Sequence, residues 1–473
     1  MLVDLLPSDG DELCVHASGR DWSRTEVRTR AGDVACALAD AGVESGAPVG
    51  VLLRDGADSV AAVFGVWRCG AVVVPLNPRA TDGELRRVAA EVGLAAVVTS
   101  PADDDRLAGL TTVAVDGERV AFRRGMAGTT RHGPEVAVVS FTSGTTGTPK
   151  PVPLEHARIV EGLDQVLGTL RARGPSDKPP MPNLIPVSLS LWNGIYQVLF
   201  AFRVGAPVVV MDRFDPIAFR DLVARFEIRS TVLPPAAMVA LVDDERVDSL
   251  PPLRYVRSVS APLSPLQARR FHDRFGVTVL NGYGQTELGG EVVGWGPSDP
   301  RTFGGDKLGS VGRPHRGVEV RVDDDTNELV VRIPGRMSAG DGAGGDVDDG
   351  WHHTGDVARI DDDGFVWIEG RMSDMVNRGG LKVHPAEVEE VLRLSPSVRD
   401  AAVVGVPDDR LGEVPVAFVV ADDEQYLDPA ALESLCRQHL APYKVPVRFE
   451  TVDDLPRNEA GKVLRRKLLE EAR

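Results

Sequence analysis

A run of hydroxyl-bearing residues and glycines follows an apolar segment near the end of the first third of the chain. Residues 140–150 read SFTSGTTGTPK, directly after the apolar residues 137–139. Glycines let a backbone approach phosphate closely, and hydroxyls and amide N–H groups donate hydrogen bonds to its oxygens. From Gly144 the run nearly fits the Walker pattern, but Pro149 replaces the second glycine and Pro151 the hydroxyl residue. The composition therefore indicates a phosphate-binding loop that is not of the Walker type, with an ordinary turn as the alternative.

This run resembles the phosphate loop of the adenylate-forming superfamily, which comprises acyl- and aryl-CoA ligases, adenylation domains and luciferases. Further segments resemble motifs of the same family in the family's order, at residues 258–263 (SVSAPL), 281–287 (NGYGQTE), 351–356 (WHHTGD), 371–374 (RMSD), 379–387 (GGLKVHPAE) and 455–465 (LPRNEAGKVLR). Each segment alone has an ordinary explanation, such as a turn, a core aromatic or a solvated charge. Their shared order supports the resemblance, and the pattern is most similar to that of stand-alone carboxylic acid–CoA ligases.

The resemblance implies how ATP would be held. The ring of Tyr283 would stack on adenine, and the hydroxyl of Thr286, counted as catalytic, would reach the α-phosphate. Glu287 would hold Mg²⁺, which prefers hard oxygen ligands, and Asp356 would accept hydrogen bonds from both ribose hydroxyls. The other nucleotide-binding positions that the family implies are Thr142, Ser143, Gly144, Thr145, Thr146 and Lys150 at the phosphates, Ser260, Ala261 and Pro262 along adenine, Gly284 beside Tyr283, and Arg371 at the ribose.

The C-terminal motifs imply two alternating tasks. Lys462 would be the catalytic lysine that bridges the substrate carboxylate and the α-phosphate during adenylation. Gly379 and Gly380 would border the tunnel through which the pantetheine arm of coenzyme A reaches the acyl group. Because one small domain cannot present both at once, a rotation about Asp374 as the hinge would exchange them.

The acyl pocket is where the sequence departs from the family. Many CoA ligases carry an aromatic–His pair after a proline in this region, whereas residues 186–194 read PVSLSLWNG. Val259 stands where glycine is common, and Glu291 where apolar residues are frequent. A compact acid with a donor or an amino group would suit Glu291, and a solvent-facing Glu291 is the other interpretation. The candidate pocket residues are Trp192, Asn193, Val259, Gly282 and Glu291.

The pattern of elements predicts an α/β fold. Helical stretches alternate with short β-branched runs over the first 130 residues and again over residues 137–293, which indicates two largely parallel sheets. Helices are expected at residues 24–41, 57–69 and 82–92, and strands at 49–53, 71–76, 95–99, 137–141, 208–211, 230–233 and 277–281. Short strands from about residue 309 predict a small β-rich subdomain, with a surface loop at 341–350.

The chain beyond residue 371 predicts a separate unit. It reads as a helix at 385–394, strands at 398–406 and 415–420, and a helix at 429–439, which is an α+β arrangement. We therefore expect an N-terminal AMP-binding domain at residues 1–370, made of two α/β sheets and a β-rich subdomain. A small mobile α+β domain with the catalytic lysine would follow at residues 371–473.

Composition excludes several classes of protein. The 473 residues carry a formal net charge of −17, which argues against a nucleic-acid partner, because phosphate backbones are bound by clustered Lys and Arg. Cys14, Cys36, Cys69 and Cys436 lack metal-binding spacing and are expected to be buried thiols of a reducing compartment. Neither a signal peptide nor an apolar run of about 20 residues is visible, so the expectation is a cytoplasmic protein without a membrane partner.

The sequence thus predicts an enzyme that uses ATP, Mg²⁺ and coenzyme A to convert a small carboxylic acid to an acyl-AMP and then to a thioester. One alternative keeps the adenylation but loads a separate carrier protein's phosphopantetheine or another nucleophile. Another is a nucleotide-binding protein that has lost catalysis, although six residues of the motifs are all retained, namely Lys150, Thr286, Glu287, Asp356, Arg371 and Lys462.

Overall fold

A computed structural model of the chain describes its residues in several stretches. These are residues 1–117, 119–142, 150–170, 180–258, 261, 263–296, 298–334, 346–422, 427–458 and 461–471. No helix in these stretches is both long enough and apolar enough to cross a membrane.

A mostly parallel sheet dominates the first 155 residues. Its strands run in the order β7-β6-β5-β3-β4-β8-β9, with antiparallel pairs only at the two edges. The central strands are valine-rich and buried along their length, as expected of parallel strands covered on both faces. The elements of this part are β1 (Leu13–Ala17), β2 (Arg20–Ser23), α1 (Arg24–Asp40), β3 (Pro48–Leu52), α2 (Ala57–Arg68), β4 (Val72–Pro75), α3 (Asp82–Val92), β5 (Ala96–Thr99), β6 (Thr112–Asp116), β7 (Arg119–Arg123), β8 (Val136–Thr142) and β9 (Lys150–Glu155).

A second α/β layer follows and takes in the first two strands of the chain. It consists of the strand rows β10-β11-β1-β2 and β12-β13-β14. The Thr231 hydroxyl donates to the carbonyl of Leu184 at 2.7 Å and links the two rows. The elements are α4 (His156–Leu170), β10 (Asn183–Ile185), α5 (Trp192–Arg203), β11 (Val208–Val210), α6 (Pro216–Arg225), β12 (Ser230–Val232), α7 (Pro235–Asp243), β13 (Tyr255–Ser258), α8 (Pro265–Phe275) and β14 (Thr278–Asn281).

The two layers share a hydrophobic core. Phe64 on α2 is fully buried and packs against Trp67 and Phe202, with ring centroids 5.2 Å and 5.7 Å away. Phe202 lies on α5, so this core fixes one layer against the other.

Antiparallel strands form the predicted β-rich subdomain. One sheet has the order β15-β16-β17, and the next the order β18-β19-β21-β20, with β22 paired to β21. The elements are β15 (Tyr283–Gln285), β16 (Gly290–Gly294), α9 (Asp299–Thr302), β17 (Arg313–Pro314), β18 (Glu319–Val322), β19 (Glu328–Arg332), β20 (Asp346–Asp348), β21 (Trp351–Ile360) and β22 (Val366–Arg371).

The C-terminal part is a small α+β unit with its own core. Its strands run β24-β23-β26-β25, and β27 lies parallel to β26. Val403 and Ala417 are fully buried against Leu392, Leu432 and Cys436 from the helices. The elements are β23 (Val376–Arg378), β24 (Leu381–Val383), α10 (Pro385–Leu392), β25 (Val398–Asp408), β26 (Gly412–Ala421), α11 (Pro429–His439), β27 (Arg448–Val452) and α12 (Arg465–Glu471).

The predicted α/β architecture is confirmed, with corrections in detail. Helices α3 and α11 have the expected bounds, whereas β1 and β2 were not predicted. The expected loop at 341–350 is partly wrong, because Asp346–Asp348 pairs with β21 as an edge strand, and residues 341–345 lie outside the described stretches. Cys14 and Cys436 are buried as expected, but Cys36 is exposed and Cys69 half-buried. Burial raises the pKa of the Cys14 thiol to about 12 and that of Cys436 to about 11.

Candidate active site

Tyr283 and Asp356 meet although 73 residues separate them. The Tyr283 hydroxyl donates to Asp356 Oδ2 at 2.7 Å. The Gln285 side-chain amide donates to the same oxygen at 2.9 Å and to the Thr354 carbonyl at 2.8 Å. Burial, and then the Asp356 carboxylate, raise the pKa of Tyr283 well above its usual value, so the phenol stays protonated as a donor. Strands β15 and β21 are thus joined through their side chains.

Asp356 also faces Arg371 across neighbouring strands. The two residues are register partners in β21 and β22, and Arg371 Nε lies 3.0 Å from Asp356 Oδ1. Asp356 is only 4% exposed, and the Arg371 guanidinium supplies the positive charge next to its carboxylate. The preceding Gly355 has φ +70°, a conformation that favours glycine, and its N–H donates to Glu328 at 2.7 Å. The turn in the strand therefore aims the carboxylate at Tyr283 and Arg371.

The Thr286–Leu288 turn brings the predicted phosphate and metal residues close to the first sheet. It forms a single 3-10 turn after β15 and contacts β9, which begins at Lys150. Lys150 is exposed and pairs with Thr142 across the β8–β9 hairpin, so the phosphate-loop sequence connects two paired strands. Thr286 and Glu287 are half-buried. Lys150 and Glu287 therefore lie on contacting elements, next to the strand that carries Tyr283.

Glu287 does not belong to a prebuilt metal cage. The described stretches contain no group of at least three His, Cys, Asp or Glu side chains suited to a metal ion. Mg²⁺ in phosphate-handling sites is typically bound by one or two carboxylates together with substrate phosphates. A lone Glu287 fits a magnesium ion that arrives with ATP.

Lys462 reaches this region from the C-terminal unit. Burial lowers the pKa of its ammonium and Arg371 lowers it further, while Asp374 and Asp356 act in the opposite direction. The lysine is half-buried, and its backbone N–H donates to Asn458 Oδ1 at 2.9 Å. The lysine of the last predicted motif is thus an electrostatic neighbour of the Asp356–Arg371 pair.

A short hairpin fixes the backbone around Lys462. Arg457 and Val463 form an antiparallel bridge, and the Asn458 N–H donates to the Lys462 carbonyl at 2.9 Å. Gly461 has φ +77°, and a Cβ there would lie 3.3 Å from Ala236 of α7. The hairpin therefore packs closely on the N-terminal layer, and glycine suits both its backbone angle and this approach.

The predicted hinge residue Asp374 belongs to an ion-pair cluster inside the C-terminal unit, which we call the latch and define as Asp374, Glu389 and Arg465. It ends the 3-10 turn Met372–Asp374, and Arg465 Nε lies 3.4 Å from its carboxylate. Arg465 also donates from Nη2 to Glu389 on α10 at 2.8 Å. Arg465, three residues after Lys462, thus pairs with both Asp374 and Glu389 of α10.

Gly379 and Gly380 lie at the tip of the β23–β24 hairpin. Both have positive φ, +61° and +89°, as a tight hairpin loop requires. Both are exposed, and the Gly379 N–H donates to the Leu411 carbonyl at 2.7 Å. Within the described stretches, Gly379 and Gly380 contact Leu411 and Asn377 of the C-terminal unit. Lys462, by contrast, interacts electrostatically with the Asp356–Arg371 pair.

Two of the acyl-pocket candidates, Trp192 and Asn193, lie on α5, and Glu291 lies on β16. Trp192 and Tyr196 are buried neighbours on α5, and a Cβ on Gly290 would lie 3.1 Å from the Tyr196 ring. Asn193 accepts from Gln197 on the same helix at 3.3 Å. Helix α5 therefore approaches β16 at Gly290, the residue before Glu291.

The interpretation in which Glu291 faces solvent is wrong, because its side chain is only 12% exposed. Arg257 Nη2 donates to its Oε1, and His315 Nε2 lies 3.0 Å from the same oxygen. A Cβ on Gly282 would lie 2.7 Å from Glu291 Oε2. Gly282 therefore has no room for a side chain because this carboxylate occupies the space.

Some of the predicted site residues are not among the described residues. Ser143, Gly144, Thr145, Thr146, Val259, Ser260 and Pro262 lie outside the described stretches, as does the side chain of Thr142. Ala261 and Gly284 are described; Ala261 is half-buried and Gly284 is exposed in β15. Gln285, His352, Arg257 and His315 were not predicted. The first two extend the hydrogen bonds around Asp356, since His352 Nε2 lies 3.0 Å from Gln285 Oε1.

Comparison with known proteins decides the family. A model of the AMP-binding enzyme family matches residues 7–340, and a model of the AMP-binding enzyme C-terminal domain matches residues 387–462. The chain belongs to the AMP-binding enzyme family. It is thus an adenylate-forming enzyme, as its motifs predicted.

Individual relatives of this AMP-binding enzyme match over nearly their whole length. A sulfoacetate–CoA ligase of Cupriavidus necator is 32% identical over 96% of this chain and 93% of its own. The amide bond synthetase McbA of Marinactinospora thermotolerans superposes with a TM-score of 0.83 at 29% identity, covering 99% of this chain and 98% of its own. ATP-bound MatB of Rhodopseudomonas palustris superposes with a TM-score of 0.86 at 27% identity, covering 99% and 98%. A large N-terminal and a small C-terminal domain are thus shared with solved adenylate-forming enzymes.

Proposed function

We propose that this chain joins a carboxylic acid to coenzyme A at the expense of MgATP. In the first step a carboxylate oxygen attacks the α-phosphorus, the bond to the β-phosphate breaks, and pyrophosphate leaves an acyl-AMP. In the second, the coenzyme A sulfur attacks the acyl carbon, AMP departs, and the thiol proton is released. The chain is accordingly an AMP-forming acid–thiol ligase.

The observation that carries the proposal is the environment of Lys462, whose hairpin packs on α7 at Gly461 and whose ammonium interacts electrostatically with Arg371 and Asp356. Adenylation builds negative charge on the phosphoryl oxygens, and fixed positive charge in a water-poor site stabilises it. Burial lowers the pKa of the Lys462 ammonium, which indicates incomplete compensation of its charge. An α-phosphate and a substrate carboxylate would supply the missing negative charge.

Asp356 would bind the ribose, although neighbouring side chains already use most of its acceptor positions. Asp356 Oδ2 accepts hydrogen bonds from Tyr283 and Gln285, and Oδ1 pairs with Arg371. A carboxylate has about four acceptor positions, so one position on Oδ1 is open to a ribose hydroxyl. A second ribose bond requires Tyr283 or Gln285 to release Oδ2. Tyr283 would then present its ring to adenine.

Magnesium and phosphate binding would use the turn that contacts β9. Glu287 would hold the Mg²⁺ that ATP brings, Thr286 would donate to the α-phosphate, and Lys150 would approach the phosphates from the end of the loop. The contact between β9 and the Thr286–Leu288 turn supports this grouping. The remaining loop hydroxyls and the adenine-facing segment keep the roles that the family motifs imply.

The C-terminal unit would act as a mobile domain. We place the boundary between residues 370 and 371, at the end of β22 and just before the Met372–Asp374 turn. Rotation about Asp374 would withdraw Lys462 and bring Gly379 and Gly380 to the acyl-adenylate. The exposed hairpin tip at Gly379 and Gly380 supports an element that acts in another arrangement.

A second acceptor has support from one relative. McbA is an amide bond synthetase, and its match covers 99% of this chain. Such an enzyme would keep the same adenylation site but deliver the acyl group to an amine. A separate carrier protein's phosphopantetheine is a further thiol acceptor of the same chemistry.

Pyrophosphate release tests the proposal directly. The purified chain receives ATP, Mg²⁺ and one acid at a time from a carboxylic acid panel, first alone and then with coenzyme A, a holo-carrier protein or an amine. We expect acid-dependent pyrophosphate release, with a thioester and AMP accumulating in the coenzyme A arm. Amide formation in place of a thioester would support the second candidate. Absence of pyrophosphate with every acid and every acceptor would contradict adenylation altogether.

A further inference from the structure

A cluster of polar side chains lies in the interior at the expected acyl end of the site. We define the acyl-end cluster as Arg257, Ser258, Glu291 and His315. Arg257 and Ser258 end β13, Glu291 lies in β16, and His315 directly follows β17. The side chains of Arg257, Glu291 and His315 are 15%, 12% and 0% exposed. Charged groups this deep require partners or a function.

The cluster borders the place where an acyl-adenylate would extend beyond its phosphate. Gly282 precedes Tyr283, which contacts Asp356. A Cβ on Gly282 would lie 2.7 Å from the Glu291 carboxylate, and one on Gly294 would lie 2.7 Å from Arg257 Nη2. Gly282 lies between β14 and β15, and Gly294 ends β16. These two glycines thus let the cluster approach the backbone next to Tyr283.

Charge inside the cluster is already balanced. Burial acts to raise the pKa of Glu291, but Arg257 and His315 outweigh it and lower that pKa, so the carboxylate is ionised. Its Oε1 accepts from Arg257 Nη2 and is 3.0 Å from His315 Nε2. Glu291 is therefore engaged as the partner of Arg257 and is not a free carboxylate waiting for an amine.

The open hydrogen-bonding capacity belongs mainly to donors. Within the described stretches, Arg257 Nη1, Ser258 Oγ and His315 Nδ1 are buried and have no hydrogen-bond partner. A guanidinium nitrogen can only donate, and a serine hydroxyl can donate as well as accept. Buried donors left without an acceptor are costly, so a group that brings an oxygen to this position would be favoured.

We propose that the acyl-end cluster selects acids whose acyl chain carries an oxygen acceptor, which Arg257 Nη1 binds with help from the Ser258 hydroxyl. Arg257 is then a specificity-determining residue, and Glu291 is a positioning residue that holds the guanidinium. This inference rests on the proposed ligase function. The balanced charge of the Arg257–Glu291 pair favours a neutral oxygen, such as a keto or hydroxyl group, over an anionic one.

Matched acids test the inference on the unaltered chain. Pyrophosphate release is measured for levulinate and valerate, which differ by a keto oxygen, and for para-hydroxybenzoate and benzoate, with glutarate as an anionic acceptor and aminovalerate as a donor. A polar site discriminates roughly 10- to 100-fold in kcat/KM between a partnered and an unpartnered group. We expect the oxygen-bearing member of each pair to be preferred. Valerate, benzoate or aminovalerate activated equally or better would overturn the inference.

A double variant locates the preference. Arg257→Met/Glu291→Leu removes both charges together, because losing one alone would leave the other buried and unpaired. The preference for levulinate over valerate should fall roughly 10- to 100-fold, through loss of levulinate turnover. Arg437→Met/Glu433→Leu, at an exposed ion pair on α11, is the matched control and should keep the preference. A folded Arg257→Met/Glu291→Leu protein that keeps it would sink the assignment.

The two proposals fail in distinguishable ways. Pyrophosphate released with some acids but without preference for the oxygen-bearing members leaves the ligase proposal intact and overturns this inference. Absence of pyrophosphate with every acid overturns both. Should the double variant not fold, the matched acids on the unaltered chain decide alone.

Discussion

Replacing Asp356 by asparagine tests the ribose site at its central group. Asp356→Asn keeps the shape of the side chain but removes its charge and turns one acceptor oxygen into a donor. In the structure that carboxylate accepts from Tyr283 at 2.7 Å and from Gln285 at 2.9 Å, and it pairs with Arg371 at 3.0 Å. A hydrogen bond to a charged group contributes about 1.5–3 kcal/mol, or roughly 10- to 150-fold in an equilibrium constant.

The expected result is a kcat/KM for ATP lower by about two orders of magnitude, since at least one charged ribose bond is lost and Arg371 loses its partner. Pyrophosphate release is followed at saturating acid while ATP is varied, and thermal unfolding confirms the fold. Tyr283→Phe removes one donor but keeps the ring, so its effect should be smaller. Asp363→Asn, at an exposed carboxylate 2.6 Å from Lys307, should leave KM for ATP unchanged. A folded Asp356→Asn enzyme with the original kcat/KM for ATP would refute the ribose assignment.

Other predictions concern the latch and two buried ionisable groups. Arg465→Met should slow adenylation more than thioester formation from supplied acyl-AMP, because the ion pairs of Arg465 with Asp374 and Glu389 hold Lys462 in place. Rapid-quench kinetics of the two steps checks this. Equal slowing of both steps would count against this role of the latch. Burial raises the pKa of Asp55 from 3.8 to about 6, so folding stability falls as the pH rises from about 4 to about 6. Asp55→Asn should therefore stabilise the protein at pH 7 by about 2–3 kcal/mol in denaturant titrations, with little gain at pH 4; an equal gain at both would exclude ionisation as the cause. Burial lowers the pKa of His156 from 6.5 to about 4, so stability is full above pH 6.5 and is lost by about 2–3 kcal/mol as the pH falls to 4. A His156→Gln variant should show a flatter stability profile over that range, and an unchanged profile would contradict the assignment.

Local sequence was sufficient for much of the fold. The valine-rich runs that became β3, β4 and β5 are bounded by helices with clear start signals, such as the mutual hydrogen bonds of Ser23 and Glu26 at α1. Strands β1 and β2, which were not predicted, form a local antiparallel hairpin, and β1 also pairs with β11 about 190 residues later in the chain. The pairing with β11, which places this hairpin in the second layer, is not visible in a local pattern.

The candidate nucleotide residues could be proposed from the sequence because they belong to short motifs with fixed spacing. The acyl-end cluster was not, because Arg257, Glu291 and His315 belong to segments that come together only in the folded chain. Glu291 alone left solvent and pocket as equal interpretations. In the structure Glu291 is the partner of Arg257 and is not a free carboxylate. The proposed substrate group therefore changes from a donor, such as an amine, to an oxygen acceptor.

Lys462→Ala, with the two half-reactions measured separately, tests the central claim most directly. Lys462 is an electrostatic neighbour of Asp356 and Arg371, whereas the Gly379–Gly380 hairpin lies elsewhere on the C-terminal unit. We predict that acid-dependent pyrophosphate release falls by at least about 100-fold, while thioester formation from supplied acyl-AMP and coenzyme A stays within about threefold of the unaltered chain. Equal loss of both half-reactions in a folded protein, or undiminished pyrophosphate release, would contradict the account.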